Sequence, residues 1–304
     1  MNSRLLGVGI GLALIAVLTF IAISNKGEDK KEVLPALPGF SSVEALISKD
    51  KLDEAKKQID EIADKHPDSD ALGKIYFKIA NSYERKGEIV KARDVYGVIL
   101  TRHQNVDNIL DVQEKIGKLN VQILFSPIIT VKDLLYKIEP GDTLSKIAKR
   151  FGTTVDLIKV SNSLRSDTIR ADSRLKVSRA KYEILVDKSQ NLLTILLDKG
   201  DIFKVYRVST GENNSTPVGN FKIVNKIKDP VWYNQGAIVP SESPDNILGS
   251  RWLGISERGY GIHGTVDPKS VGTQATKGCV RMIDSDVEEL YTIIPVGTEV
   301  TIVD

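Results

Sequence analysis

The chain has 304 residues, 41% hydrophobic and 27% charged, with 42 basic side chains against 40 acidic ones and a formal net charge of +2. At about 150 residues per domain this length predicts roughly two folded cores and excludes a disordered polymer, while near-neutral charge removes the electrostatic drive toward nucleic acid. The single cysteine, Cys279, excludes an internal disulfide and any zinc site built on clustered cysteines.

The first element, Leu5 to Asn25, is an uncharged stretch of 21 residues that as a helix would span about 30 Å, enough to cross a bilayer. A cleavable signal has an apolar core of about 7 to 15 residues. Residues 1–25 are therefore expected to form an uncleaved signal anchor, a transmembrane helix, with cleavage after the Ala22-Ile23-Ser24 string as the alternative. Arg4 precedes the stretch and Lys26, Lys30 and Lys31 follow it, so flanking charge alone does not orient it. Its place at the start of the chain sets the expectation of export, with the rest held in the cell envelope outside the cytoplasm. Residues 26–39, charged and then carrying Pro35 and Pro38, read as a linker.

Across residues 40–125 apolar side chains recur at spacings of three and four, as in Ile75, Ile79, Tyr83 and then Val95, Ile99, the period of amphipathic helices. Tyr76, Ile79, Ala80, Tyr83, Gly87, Ala92 and Tyr96 occupy large and small positions that resemble a tetratricopeptide repeat. Ala55, Ile59, Ile62 and Pro67 resemble the second half of a preceding copy. Two readings stay open: a module that binds a protein partner, or a helical spacer. His66 and His103, without partners at metal or triad spacing, are expected on the surface.

After a short linker at 126–133, residues 134–178 predict strand, helix, helix, strand. Pro140-Gly141 makes a turn, Asp142 or Thr143 caps the first helix, Leu144, Ile147, Ala148 and Phe151 form its apolar stripe, and Gly152 ends it. With Tyr136, Asn162, Leu164, Ile169 and Leu175 added, the pattern resembles the lysin motif, LysM. It departs at Ala171-Asp172, where glycine is usual. The resemblance implies a groove between Gly141, Asp142, Thr143 and the loop after Asn162 that binds glycan containing N-acetylglucosamine; the alternative is a structural spacer.

From residue 180 to 304 the period falls to two, as in YEILVD, LLTILL and EVTIVD, predicting a mostly β domain. Here His263 precedes Cys279 by 16 residues. A neighbouring imidazole that takes the thiol proton would supply a thiolate at neutral pH. Gly278 leaves room for a substrate carbonyl and offers an N–H to an oxyanion. Ser285 and Glu288 stand at capping-box spacing for a following helix. Separation along the chain fixes no distance, so an inert cysteine with a surface histidine stays open on these residues alone.

The longer string, Gly261-Ile262-His263-Gly264-Thr265, then Ser270 and Gly272, then Thr276-Lys277-Gly278-Cys279-Val280-Arg281-Met282, resembles the active-site signature of the L,D-transpeptidases of bacterial peptidoglycan. Thr216, Pro217, Gly219, Phe221, Gly249, Arg251, Trp252 and Gly254 extend the likeness, and Thr276 departs from a common serine. The resemblance implies Cys279 as nucleophile, His263 as base and then acid, the Gly264 carbonyl orienting the imidazole, and the N–H groups of Gly278 and Cys279 as oxyanion donors. It assigns Arg281, Thr276 and Tyr233 to the substrate side, with Trp232 and Trp252 as scaffold.

The expected architecture is thus multidomain: an N-terminal transmembrane helix, an all-α tetratricopeptide-like region, a small α+β LysM module and a mostly-β L,D-transpeptidase catalytic domain. The implied reaction releases a terminal D-alanine from a stem peptide and passes the acyl group to an amine, forming cross-links between third residues. Water as acceptor would make an L,D-carboxypeptidase, and a protein lysine would make a wall-anchoring enzyme. Rival readings are a non-catalytic wall-binding scaffold and a cysteine peptidase for ordinary proteins. Expected partners are peptidoglycan stem peptides and glycan strands, the membrane through the first helix, and a protein at the helical repeats. No metal or organic cofactor is implied, no nucleic acid is expected, and acylation by carbapenems is.

Overall fold

The computed structural model describes residues 37–234 and 236–304. The anchor expected at residues 1–25, and most of the linker after it, lie outside the described residues. Among those described, no helix is long and apolar enough to cross a membrane. The chain divides into two compact units, one ending at Ile123 and the other spanning Leu124–Asp304.

The first unit is built of helices α1 (Phe40–Ser48), α2 (Leu52–Lys65), α3 (Ala71–Arg85), α4 (Ile89–Arg102) and most of α5 (Ile109–Phe125). The three-and-four spacing turns Leu52, Ala55, Ile59 and Ile62 of α2 toward Leu72, Ile75, Ile79 and Tyr83 of α3 and Ala92, Val95 and Ile99 of α4. Ala80 and Ala92 are fully buried, small side chains that let helices approach closely. The tyrosines bury their rings and send their hydroxyls to neighbouring helices: Tyr76 to Asp60, Tyr83 to Asp53, Tyr96 to Asn81 and Glu84. His103 corrects the expectation of a surface residue. It is 5% exposed, its ring stacks on Tyr76 at 5.5 Å, and its Nε2 has no partner among the described residues. Gly73 brings this about, since a Cβ there would come within 3.3 Å of His103 and 2.3 Å of Val106.

In the second unit, β1 (Asp133–Lys137) pairs antiparallel with β2 (Arg174–Ser178), and α6 (Leu144–Phe151) and α7 (Val155–Ser161) pack on that ribbon. Thr143 caps α6 by accepting from Lys146 N, Thr154 caps α7 by accepting from Leu157 N, and Gly152, at φ 65°, ends α6 in the left-handed region.

The remaining strands, β3 (Tyr182–Asp187), β4 (Leu192–Leu197), β5 (Ile202–Arg207), β7 (Gly219–Lys228), β10 (Arg251–Ile255), β11 (Gly261–His263), β13 (Val280–Arg281) and β14 (Glu299–Val303), form one eight-stranded sheet in the order β13-β11-β10-β7-β14-β3-β4-β5. Short ribbons pair β6 (Thr210–Gly211) with β12 (Gln274–Thr276), and β8 (Trp232–Asn234) with β9 (Ala237–Val239). Helix α8 (Asp284–Ile293) buries Val287, Leu290 and Ile293. The helix and the sheet together join the two parts of this unit: the Thr292 carbonyl of α8 accepts from Thr154 Oγ1, and Lys228 of β7 pairs with Asp156 at 2.8 Å. The expected Ser285–Glu288 capping box is corrected. The helix begins two residues earlier than that box would place it, Ile283 is its N-cap, and no side chain caps it.

Candidate active site

Strands β11 and β13 run parallel at one edge of the sheet, with Ile262 opposite Val280 and His263 opposite Arg281. Side chains alternate across a sheet, so Ile262 and Val280 enter the core at 1% and 2% exposure, and His263 and Arg281 share the other face. Cys279, two residues before Arg281, joins that face. Pleat and register thus gather three residues that lie up to 18 positions apart in sequence.

The walls come from two loops. On one side the turn between β10 and β11 places the Gly259 carbonyl 3.8 Å from Cys279 Sγ and Tyr260 over Gly278. On the other, Ser209 and Arg281 exchange backbone hydrogen bonds of 2.8 Å, and β6 brings Gly211 against Gly278. Gly278 has φ +130°, and a Cβ would stand 2.6 Å from Tyr260 Cε1 and 3.3 Å from the Ser215 carbonyl. Only glycine fits that backbone and that gap.

His263 is 2% exposed, and its Nδ1 lies 2.7 Å from the Gly264 carbonyl. That bond places the proton on Nδ1 and leaves Nε2 as the basic nitrogen. Trp252, cross-strand from His263, stacks on the imidazole at 6.0 Å and 18°, and its Nε1 donates to Asn225. Gly261 makes the space, since a Cβ there would meet the indole at 2.6 Å. Burial pushes the imidazole down to about 4, helped by the Arg281 charge and opposed by the Gly264 and Leu248 carbonyls. Burial pushes the Cys279 thiol up, against the Gly261 backbone and Arg281. The resting pair is a neutral thiol and a neutral imidazole.

Several residues expected at the substrate are occupied by the fold. Thr276 is 5% exposed, and its hydroxyl donates to the Cys279 carbonyl at 2.7 Å and accepts from Gly278 N at 3.1 Å. Thr276 thus shapes the loop from within, and one of the two expected oxyanion donors, the Gly278 N–H, is engaged by its hydroxyl. Arg281 Nη1 donates to Ser270 Oγ at 3.1 Å, turning the guanidinium toward its own loop. Tyr233 is 74% exposed on the β8–β9 ribbon, opposite Ile238, with no bond or ring contact to the Cys279 face among the described residues. Among the described residues no three histidine, cysteine, aspartate or glutamate side chains gather as metal ligands.

The candidate glycan residues Gly141, Asp142, Thr143 and Asn162 lie at the turns before α6 and after α7, where three of their side chains make bonds within the module. Asp142 Oδ2 accepts from Tyr136 Oη and Glu139 N, and Thr143 is the helix cap. Asn162 donates to the Ile158 and Lys176 carbonyls and accepts from Lys176 N at 2.7 Å, clamping α7 to β2. These polar groups complete the module's own hydrogen bonds. Asn162→Ala is expected to destabilise the module by about 2–3 kcal/mol, since it removes the side-chain bonds that tie the end of α7 to the Lys176 backbone of β2. Faster amide exchange throughout β2 would register that loss, and unchanged protection with lost glycan binding would reassign Asn162 to the ligand.

Comparison with known proteins fits this geometry. A family model described as the L,D-transpeptidase catalytic domain, YkuD, matches residues 181–302, and the LysM domain matches residues 136–178. Neither match extends over helices α1–α4. The putative L,D-transpeptidase YkuD of Bacillus subtilis (strain 168) is 34% identical over 176 residues, covering 56% of this chain and 98% of that protein. Its Bacillus licheniformis counterpart is 32% identical over 177 residues, covering 56% and 98%. The cell wall-binding protein YocH of B. subtilis is 62% identical over 42 residues, 14% of this chain and 15% of that protein. An L,D-transpeptidase structure from Mycobacterium smegmatis aligns with TM-score 0.36 and 17% identity, covering 44% of this chain and 64% of that one. The site and fold define a cysteine acyltransferase class of enzyme. The chain belongs to the L,D-transpeptidase family.

Proposed function

We propose that this enzyme cross-links peptidoglycan, with Cys279 attacking the carbonyl of the third stem residue. The observation that carries the reading is the shared face of Cys279, His263 and Arg281 on β11 and β13, with the imidazole oriented by the Gly264 carbonyl. As Sγ bonds to the carbonyl carbon, its proton passes to His263 Nε2. The tetrahedral oxyanion is received by the Cys279 N–H. The carbon–nitrogen bond to D-alanine then breaks, its amine takes the proton from the imidazolium, and a thioester remains. An acceptor amine attacks the thioester, gives a proton to His263, and the sulfur leaves and is reprotonated. The thiol stays neutral until substrate is in place, so the step needs His263 as base throughout.

The LysM module supports a polymeric glycan as the setting, since it is joined to α8 through Thr154 and to β7 through Asp156 and tethering raises local substrate concentration. Export, with an anchor at residues 1–25, is the part of the reading that rests on the uncharged Leu5–Asn25 stretch. The helices α1–α4 are assigned, by their tetratricopeptide-like pattern, to holding a protein partner. Incubation of the enzyme with disaccharide-tetrapeptides, followed by mass spectrometry, tests the reading. A dimer formed with loss of one D-alanine, and absent with Cys279→Ala, is the expected product. Tripeptide monomer alone would make the enzyme a carboxypeptidase, and unchanged substrate with a folded protein would favour a wall-binding scaffold.

A further inference from the structure

A buried catalytic imidazole is commonly held by a carboxylate, whereas the Nδ1 of His263 meets the Gly264 carbonyl at 2.7 Å. That carbonyl is one end of a peptide unit whose other end is the N–H of Thr265. The N–H donates to Asp284 Oδ1 at 3.0 Å, and the same oxygen accepts from Ser250 N at 3.2 Å. A peptide unit is planar, with its C=O and N–H directed oppositely. The two bonds therefore fix one plane from both ends.

Packing closes off rotation of that plane. A Cβ on Gly264 would stand 2.0 Å from Asp284 Oδ1, so the carboxylate rests directly on the peptide. Gly249, at φ +62°, lies beneath it, where a Cβ would meet Thr265 N at 2.5 Å and the Gly264 carbonyl carbon at 2.7 Å. An acidic residue in a helix's first turn ordinarily interacts with the helix's own amides or dipole. Asp284 does otherwise: the α8 N-terminus carries no side-chain cap, and Oδ1 is committed to two amides outside the helix.

We propose that Asp284 is the positioning residue of the catalytic base, a triad acid acting through an interposed peptide. By holding the Thr265 N–H it aims the Gly264 carbonyl at Nδ1, keeps His263 in the Nδ1–H tautomer and leaves Nε2 free for the Cys279 proton. Hydrogen bonds in series polarise one another in a site shielded from water. The carboxylate thereby strengthens the carbonyl dipole that meets the imidazolium as it forms. The other groups facing His263 are Arg281 and Cys279 on its neighbouring strand and the Leu248 carbonyl, with uncharged Trp252 across the ring and Asp267 opposite Arg281. None of these holds the 264–265 peptide. The proposal rests on the reading of His263 as the base.

The test uses the full chain labelled with ¹⁵N-histidine, in wild-type, Asp284→Asn and Asp284→Ala forms. It reads the His263 tautomer by NMR and acylation by a carbapenem across pH. Wild type is expected to show one Nδ1–H tautomer. Asp284→Ala is expected to mix tautomers and acylate about 100-fold more slowly through misplacement of the base. Asp284→Asn keeps an acceptor for both amides but loses the charge. It should hold the tautomer, acylate about tenfold more slowly and shift its acid limb to lower pH. A folded Asp284→Ala with one tautomer and unchanged acylation overturns the proposal. If that variant does not fold, Asp284→Asn decides, and an unchanged rate and acid limb overturns it. The tautomer is read without turnover, so a failure of His263 as base, seen as unimpaired acylation in His263→Ala, is told apart from a failure of Asp284.

Discussion

Replacing His263 with alanine is expected to lower carbapenem acylation of Cys279 at pH 7 by about 1,000-fold, within the usual range for loss of a general base. The size follows from the resting protonation states. Burial holds the thiol up, so almost no thiolate exists at neutral pH without a base, and burial holds the imidazole down at about 4, so the base is available. Wild-type acylation should stay level from about pH 5 to 8 and fall below the imidazole's own titration. The alanine variant should instead accelerate steadily as pH rises and hydroxide ionises the thiol. Alkylation by iodoacetamide at high pH, retained in the variant, shows that the thiol remains reachable. Full acylation of the variant at pH 7 would place the base elsewhere.

The same depressed imidazole makes folding sensitive to acid, and the sign is fixed by proton binding. Between about pH 6.5 and pH 4 the unfolded chain binds a proton at His263 that the folded chain refuses, so stability falls as pH falls. Full protonation of the unfolded form costs about 3 kcal/mol, the size of a shift of that order. Urea midpoints at pH 7 and pH 4.5 should therefore lie closer together in His263→Gln than in wild type. An equal gap in both would mean that other groups set the acid sensitivity.

What the sequence showed, and what it hid, divides along the length of the contacts involved. The strands of the sheet and the stripes of α2 to α4 follow from period alone, because a side chain's face is set by its neighbours along the chain. Cys279 and His263 were legible because their string carries its own backbone requirements: glycine at 261, 264 and 278 serves the indole, the carboxylate of Asp284 and Tyr260 in turn. Contacts set by register or by a distant loop were not legible. Trp252 reads as scaffold until β10 pairs with β11 and sets it on the imidazole. Asp284 carries no mark in the sequence, and His103 reads as a surface residue, until tertiary packing brings Thr265 to one and Tyr76 to the other. Asp142 and Asn162 show a different ambiguity. Short polar side chains beside a turn suit a ligand and suit an unpaired backbone amide equally well, and here the backbone takes them.

Gly249→Ala is expected to damage the site more than its distance in sequence suggests, lowering stability by about 3 kcal/mol or more through backbone strain and overpacking together. Two costs coincide there. The residue has φ +62°, and the new Cβ would stand 2.2 Å from Asp284 Oδ1 as well as 2.5 and 2.7 Å from backbone atoms of the 264–265 peptide. Backbone held on both sides by hydrogen bonds cannot yield as a flexible side chain does, so the peptide must tilt and take the His263 acceptor with it. Gly297→Ala separates the two costs. It has φ +94° with nothing within 4 Å of its Cβ, so it bears the left-handed strain alone, about 1 kcal/mol. Thermal denaturation of both variants, with carbapenem acylation measured well below their midpoints, should show Gly297→Ala slightly less stable and fully active, and Gly249→Ala both unstable and slow. Equal stability and equal activity in the two would mean that the loop relaxes around the methyl group and that the 264–265 peptide is not the rigid support of the base.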